Sequence, residues 1–176
     1  MTPEPDLYYF CRPSGSVDVP HPVDFLTVAE FVADEPACRQ LWELISTQFR
    51  TRGKFLTIWQ GARFVAVHRD PDGAADGFLL VSTPINWQID YVVVRPDRRG
   101  NGIAGTLVAA AMNQAYRRGA PYVMLTSRPS LRSFYEGCGF TVVGTNAVIE
   151  AATTGASEPA PQSSPTCSAD HIRPQP

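Results

Sequence analysis

The residues that most clearly suggest chemistry are RRGNGIAGTL, at positions 98–107. Starting at Gly100 they match G-x-G-x-x-G, the fingerprint of a dinucleotide-binding loop. Starting at Arg99 they also match R-x-x-G-x-G/A, a phosphate-binding loop of another kind. Both patterns place glycines and backbone N–H groups beside a negatively charged ligand, so the first question is which phosphate this loop would bind.

The surroundings of the loop argue against a dinucleotide. A dinucleotide-binding loop turns almost directly out of its strand, whereas RPDRR separates the strand VVV from Gly100. The acidic residue that binds the ribose in such proteins lies about 20 residues further on. Here that count arrives near Leu125, followed by Thr126 and Ser127, and finds no carboxylate. The other pattern is therefore the better interpretation.

A strand, a short basic connection and a glycine loop that opens a helix together form a suitable anion site. The first-turn N–H groups and the helix dipole both favour negative charge there. Gly102 removes a Cβ where a pyrophosphate must approach the backbone closely. Arg98 and Arg99 can add charge-assisted hydrogen bonds. The sequence therefore predicts a pyrophosphate site at this loop.

The hydrophobic patterns before the loop predict strands and two helices. Helices are expected over residues 21–36, where Pro22 and Asp24 suit a helix start, and over residues 37–49. The cluster PDGAADG, residues 71–77, predicts a turn. Strands are expected at LYYFCR, FLTIW, RFVAVHRD, FLLVSTP and WQIDYVVV, which begin at residues 7, 55, 63, 78 and 87.

The patterns after the loop predict a long helix and further strands. The helix runs from Ile103 to about Arg118, carries an apolar stripe with small residues, and is stopped by Gly119. YVMLTS reads as a strand, SLRSFYEGC as a short helix, and FTVVG and AVIEA as a final pair of strands. This order predicts a mixed α/β or α+β sheet rather than strict βαβ alternation.

Composition divides the chain into a folded domain, residues 1–150, and a tail, residues 151–176. The tail has five prolines and no aromatic residue, so we expect it to be disordered. The first residues lack the pattern of a secretory signal, and no apolar run is long enough to span a bilayer. The four cysteines show no C-x-x-C spacing, which predicts no metal site and reduced thiols in a cytoplasmic protein.

The charge distribution bears on the ligands more than the total does. A net charge of −2 argues against general binding of nucleic acid. Seven arginines and one acid lie between Arg95 and Tyr135, whereas residues 1–94 carry twelve acids and seven bases. One part of the domain thus suits a polyanion and the other tolerates a cation, although solvated surface charge explains the pattern equally well. One lysine against fourteen arginines is typical of a GC-rich bacterial genome.

Two motifs resemble the GNAT superfamily of acyl-CoA-dependent N-acetyltransferases. They are VVVRPDRRGNGIAGTL, residues 92–107, and SFYEGCGF, residues 133–140, joined by the strand YVMLTS. The resemblance implies a mixed, mostly antiparallel central sheet flanked by helices, with the strands before and after the loop splayed apart. It also implies acetyl-CoA as co-substrate and no metal.

By this resemblance the pyrophosphate of the cofactor rests on the loop amides, and its pantetheine arm pairs with the strand before the loop. The residues so implied are Val92, Val93 and Val94 for the arm, and Arg98, Arg99, Gly100, Asn101, Gly102, Ile103, Ala104, Gly105 and Thr106 for the pyrophosphate. Family members often carry an asparagine seven residues before the motif tyrosine. This chain has Arg128 there, so Arg128 or Ser130 is expected to meet the cofactor instead.

The resemblance also implies two catalytic residues. Tyr135 matches the tyrosine that lies near the thioester sulfur and stabilises or protonates the leaving thiolate; the alternative is that it only packs beside Phe134 and Phe140. Asp90 is the candidate general base, because alternation along WQIDYVVV places Gln88, Asp90, Val92 and Val94 on one face. The alternative for Asp90 is a carboxylate that only balances nearby arginines.

The implied activity is transfer of acetyl from acetyl-CoA to a primary amine by direct attack in a ternary complex. We expect the acceptor pocket between the N-terminal helices, residues 25–49, and the loops near residues 83–87. The partners are then acetyl-CoA and an amine, with no nucleic acid or membrane, and a homodimer is possible. The competing hypotheses are a non-catalytic acyl-CoA-binding module for sensing or interaction, and an enzyme that uses a longer acyl chain.

Overall fold

The computed structural model describes residues 5–49, 52–83 and 86–145, which form strands and helices around one sheet. The strands are β1 (Leu7–Cys11), β2 (Val23–Thr27), β3 (Ala62–Arg69), β4 (Ala75–Ser82), β5 (Trp87–Val94), β6 (Val123–Ser127) and β7 (Thr141–Thr145). The helices are α1 (Val28–Ala33), α2 (Glu35–Gln48), α3 (Arg52–Gly61), α4 (Ile103–Arg117) and α5 (Arg132–Gly137).

The seven strands lie in the order β2-β3-β4-β5-β6-β1-β7. Neighbouring strands are antiparallel except β5 and β6, which are parallel and are joined by the crossover helix α4. The expected mixed, mostly antiparallel sheet flanked by helices is therefore confirmed.

Side chains of the central strands alternate between two separate hydrophobic cores, one on each face of the sheet. Leu79, Val81 and Ile89 pack with the buried face of α4. Phe78 and Leu80, from the same strand β4, pack instead with residues of α1, α2 and α3. We call these the α4 face and the α2–α3 face, and the candidate site lies where the sheet between them opens.

Helix α4 follows the sequence pattern closely. Its buried residues are Ile103, Thr106, Leu107, Val108, Ala110, Ala111, Met112 and Ala115, and Gly119 just beyond it has a φ of +66°. Gly77 in β4 lets the helix approach, since a Cβ there would lie 2.6 Å from Ile103 Cγ2 and 3.1 Å from Leu107 Cδ1. The predicted stripe and stop are confirmed, and the close approach fixes the start of α4 against the sheet.

The segment 21–36, expected to be one helix, instead begins as strand β2. Its residues VDFLT pair with β3, and the helix begins only at a capping box in which Thr27 and Glu30 bond each other's backbone N–H groups. Because β-branched and aromatic residues precede that cap, an edge strand competes successfully with the first helical turn.

FLTIW, expected to be a strand, lies inside helix α3. Phe55 and Trp59 are four residues apart and both buried, packing with Trp42 and Phe31 respectively. A five-residue apolar run fits either element, and here tertiary packing selects the helix. The turn PDGAADG is also shorter than expected, because Ala75, Asp76 and Gly77 already belong to β4.

Two expectations fall outside the described residues, namely the strand AVIEA and the tail 151–176. In the part of the chain that is described, no helix is both long and apolar enough to cross a membrane.

Candidate active site

Strands β5 and β6 separate halfway along their length. They pair at three positions only, and the last pair is Ile89 with Leu125. Beyond it β5 continues to Val94 and β6 to Ser127 without pairing to each other. The expected splay is thus present, and it leaves the edge of β5 from Asp90 to Val94 unpaired on the side towards β6.

A β-bulge at Asp90 changes which side of the sheet the residues of β5 face. Val81 of β4 pairs with Ile89 and the adjacent Leu80 pairs with Tyr91, so Asp90 is the extra residue. Ile89 packs on the α4 face, yet Tyr91 and Val93 pack on the α2–α3 face. Bulges of this kind occur often beside active sites.

The expectation that Gln88, Asp90, Val92 and Val94 share one face is therefore wrong. Val92 and Val94 pack with the α4 core. Gln88, however, donates a hydrogen bond from Nε2 to Asp90 Oδ1 at 2.7 Å and pairs with Ser82, which follows the α2–α3 alternation of β4. The bulge adds one residue, so the carboxylate and the valines lie on opposite sides of the sheet.

Asp90 lies in a half-buried site without a nearby cation among the described residues. Burial raises the pKa of its carboxyl above the usual 3.8, and hydrogen bonds from Ser82 and Gln88 oppose that shift only in part. Its second oxygen, Oδ2, is buried and has no hydrogen-bond partner among the described residues. The ion pairs around Arg95 and Arg98 do not include it, so the charge-balancing alternative finds no support.

Tyr135 lies on helix α5 and is 7% exposed. It contacts aromatic rings on three sides, with centroid distances of 4.9 Å to Phe134, 5.3 Å to Tyr9 and 6.1 Å to Phe140. Burial, with smaller effects of Cys138 and Tyr9, raises the pKa of Tyr135 to about 12. The packing beside Phe134 and Phe140 that the alternative interpretation of Tyr135 describes is present, and the ring of this neutral phenol is held in the core of the α4 face.

The glycine loop has the backbone geometry that an anion needs. Gly100 and Gly102 have φ values of +80° and +74°, and a Cβ built on either would meet no atom within 4 Å. The first hydrogen bond of α4 runs from Thr106 N to Gly102 O, so the preceding amides of the first turn have no partner within the helix. The unpaired first-turn amides, together with the open space where Cβ atoms of Gly100 and Gly102 would lie, are compatible with a bound pyrophosphate.

The loop arginines make contacts within the protein. Arg98 Nε donates to Asp76 Oδ2 at 3.0 Å, and the other oxygen of Asp76 lies 2.6 Å from His68 Nδ1. Arg99 donates to Gln48 Oε1 at 2.6 Å and to Val94 O at 3.4 Å. These bonds use one edge of each guanidinium, so the loop amides remain the main candidates for binding phosphate.

Arg128 and the loop lie at the same end of the sheet, because each follows one of two parallel strands. Arg128 is exposed directly after β6, while Val92 and Val94 line the unpaired part of β5. The structure thus brings Arg128, Val92 and Val94 to the same end of the sheet as the loop, whereas sequence reasoning did not single out Asp76, Gln48 and Tyr9. Asp76 was hidden in a turn-like cluster, and the other two contact the site only through long-range folding.

No cluster of three or more histidine, cysteine, aspartate or glutamate side chains within the described ranges could bind a metal ion. The described residues form a strand separation with the carboxylate of Asp90 on the α2–α3 face, the ring of Tyr135 in the core of the α4 face, and the glycine loop after the end of β5.

Comparison with known proteins places this arrangement in a family. Residues 27–140 match the sequence model of the Acetyltransferase (GNAT) family. A GCN5-related N-acetyltransferase from Sphaerobacter thermophilus is 21% identical with a TM-score of 0.50, over 80% of this chain and 50% of that one. Another from Kribbella flavida is 18% identical with a TM-score of 0.57, over 81% and 56%. This chain thus spans about half the length of these structures, and the similarity concerns the fold.

Proposed function

This chain belongs to the acetyltransferase (GNAT) family, and from that premise we propose that it transfers acetyl from acetyl-CoA to a primary amine by direct attack in a ternary complex. The observation that carries the proposal is the separation of β5 and β6 past Ile89 and Leu125. Asp90 is the first residue of β5 past the last pair with β6, and the glycine loop follows the end of β5. Tyr135 contacts Tyr9, which pairs with Leu125. We propose further that the protein acts in the cytoplasm.

The glycine loop would bind the pyrophosphate of acetyl-CoA through first-turn amides, where the helix dipole also favours negative charge. The residues proposed for this are the loop from Arg98 to Thr106. The unpaired edge of β5, from Val92 to Val94, would pair with the amides of the pantetheine arm. Bound in this way, acetyl-CoA supplies an activated acetyl group as a thioester within the strand separation.

Asp90 is the proposed general base. A free alkylamine is mostly protonated at neutral pH, and only the neutral form can attack a carbonyl carbon. A carboxylate with a raised pKa is a better proton acceptor than an ordinary aspartate, and the unpartnered Oδ2 can accept from the amine directly or through water. Its position on the α2–α3 face supports an acceptor pocket beside the N-terminal helices.

Tyr135 is the proposed donor to the leaving sulfur, from the opposite face. With a pKa of about 12 against about 8.5 for a thiol, full transfer of its proton would be uphill by about 5 kcal/mol. Tyr135 therefore stabilises the departing thiolate by a hydrogen bond that strengthens as charge develops. The two faces of the sheet then have separate tasks, with deprotonation on one and leaving-group stabilisation on the other.

The charge distribution of the chain indicates a broad class of acceptor but does not identify one compound. The acid-rich half of the chain favours a cationic small molecule or peptide, and aminoglycoside-like compounds, polyamines, amino acids and protein amines all satisfy that description.

The test is a thiol-release assay over a panel of such amines, with calorimetric titration of CoA alongside. We expect Tyr135→Phe and Asp90→Asn each to lower kcat by about 100-fold, with the Kd for CoA unchanged. Tyr122→Phe is the matched control, because it removes a tyrosine hydroxyl bonded only to exposed Arg12. CoA binding without release of thiol above background for any amine would favour the sensing module instead, and a Tyr135→Phe variant as fast as wild type would refute the leaving-group role.

A further inference from the structure

Among the described residues, two buried side-chain atoms have no hydrogen-bond partner, Tyr9 Oη and Asp90 Oδ2. An unsatisfied buried polar group is costly, so each such atom in a native fold requires an explanation. Both lie at the same place in the sheet. Asp90 directly follows Ile89, the last residue of β5 that pairs with β6, and Tyr9 pairs with Leu125, the partner of Ile89.

Tyr9 is next to the proposed leaving-group donor. It is 0% exposed and belongs to the same α4-face core as Tyr135. The two rings have centroids 5.3 Å apart at an interplanar angle of 49°. A phenylalanine would fill this space equally well and leave no orphan hydroxyl, so packing alone does not account for a tyrosine here.

We propose that Tyr9 is a positioning residue that acts through Tyr135: with acetyl-CoA bound, its hydroxyl, which has no partner among the residues that the structure describes, donates a hydrogen bond to Tyr135 Oη and so strengthens the hydrogen bond that Tyr135 donates to the departing sulfur. This inference rests on the proposed function and deepens it. As the C–S bond breaks, its electron pair moves to sulfur, and Tyr135 donates towards that sulfur while Tyr9 keeps its own proton.

The chemistry of the pair explains why a second hydroxyl would help. A phenol in a largely buried site is a weak acid, because burial disfavours its charged form. Tyr135 is in that situation, and the raised pKa described above is its consequence. A hydroxyl that donates to the oxygen of Tyr135 would polarise that phenol and make it a stronger donor to the departing sulfur, since hydrogen bonds in a chain strengthen one another. The orphan hydroxyl of Tyr9 is a neighbouring donor that no described residue engages.

The decisive variants are Tyr9→Phe, Tyr135→Phe and the double variant, with Tyr122→Phe as control. We expect Tyr9→Phe to fold with an unchanged or higher Tm, because it removes an unsatisfied hydroxyl. The Kd for CoA and the KM for the amine should stay as in wild type, while kcat falls about tenfold. In the Tyr135→Phe background, Tyr9→Phe should have no further effect on kcat.

A second readout does not depend on an acceptor. The pKa of the thiol of bound CoA can be followed by the ultraviolet absorbance of the thiolate. We expect Tyr9→Phe to raise this pKa in the wild-type background and to leave it unchanged when Tyr135 is already Phe.

Equal and additive losses from the two single variants would overturn the inference, as would a Tyr9→Phe variant with wild-type kcat and thiol pKa. CoA binding without transfer to any amine would refute only the proposed activity. The titration of the CoA thiol would still test the role of Tyr9, because it needs no acceptor. Failure to bind CoA would overturn both.

Discussion

The carboxylate of Asp76 connects the glycine loop to the middle of the sheet through Arg98. Asp76 is 0% exposed in β4, accepts from Arg98 Nε at 3.0 Å and lies 2.6 Å from His68 Nδ1. Its main-chain oxygen also accepts from Arg95 N at 2.9 Å. One residue of β4 therefore fixes both the beginning and the middle of the connection that leads into helix α4.

The first prediction concerns the contact between Asp76 and Arg98. Asp76→Asn should lower the free energy of unfolding by about 3 kcal/mol, because it removes one member of a buried charged network and leaves the others without their partner. CoA affinity should fall as well, since the loop loses its anchor. Denaturant unfolding and calorimetry measure the two effects. Asp97→Asn, which breaks an exposed pair with Arg95, should change stability little; an equal loss there would contradict the argument.

The second prediction separates binding from folding at the start of α4. Gly105 has an ordinary φ, and a Cβ there would meet no atom within 4 Å. Gly105→Ala should therefore raise the free energy of unfolding by up to about 1 kcal/mol through helix propensity. The same methyl group would occupy the space next to the first-turn amides, so CoA affinity should fall about tenfold.

Gly61→Ala is the matched control for that variant, since Gly61 ends α3 and its Cβ position is also open. It should leave CoA binding unchanged. Wild-type affinity of Gly105→Ala for CoA would show that the phosphates bind elsewhere.

The third prediction is a pH dependence of stability. Burial raises the pKa of Asp90, so the folded protein keeps this proton to a higher pH than the unfolded chain does. The stabilisation that comes from this bound proton is fully present below pH 3.8. It is lost as the pH rises through the raised pKa of Asp90 in the folded protein. Asp90→Asn, which does not ionise, should melt above wild type at neutral pH, and the difference should close below pH 3.8.

Thermal melts of both proteins across this pH range measure the effect. Asp97→Asn supplies a control of opposite sign, because its hydrogen bond with Arg95 lowers the pKa of Asp97. Stability from that carboxylate is present above 3.8 and is lost as the pH falls. A constant difference between Asp90→Asn and wild type at all pH values would show that ionisation is not its cause.

The fourth prediction addresses the chain beyond the sheet. From its composition we propose that residues 151–176 do not fold, so a protein ending at Glu150 should keep the Tm and the CoA affinity of the full chain. A drop of more than about 3 °C, equivalent to about 1 kcal/mol in a domain of this size, would show that the tail packs on the fold. Differential scanning calorimetry of both lengths decides between these outcomes.

The parts of the fold that followed from sequence have strong local signals. Helix α4 carries a sustained helical stripe and ends at Gly119, so its bounds were predictable. The segment from Phe55 to Trp59 carries no such signal, because five apolar residues fit a strand or a buried helical turn. Contacts with Phe31, Trp42 and Tyr91, which are distant in sequence, decide in favour of the helix.

The site followed from sequence to the extent that backbone motifs define it. The glycine loop could be predicted from its motif and Tyr135 from the family resemblance, whereas the orientation of Asp90 could not be predicted. Simple alternation placed it with Val92, but the register between β4 and β5 adds an unpaired residue. Asp76 was equally hidden, because an aspartate beside glycines in a short sequence window resembles a turn.

If Asp90 is left out of the count, the residues of β5 alternate regularly between the two cores. Ile89, Val92 and Val94 pack on the α4 face, and Tyr91 and Val93 pack on the α2–α3 face. Asp90 therefore belongs to neither hydrophobic core. Evolution can vary the side chain placed there without repacking either core, which makes the bulge a location where new chemistry can be acquired on an unchanged scaffold.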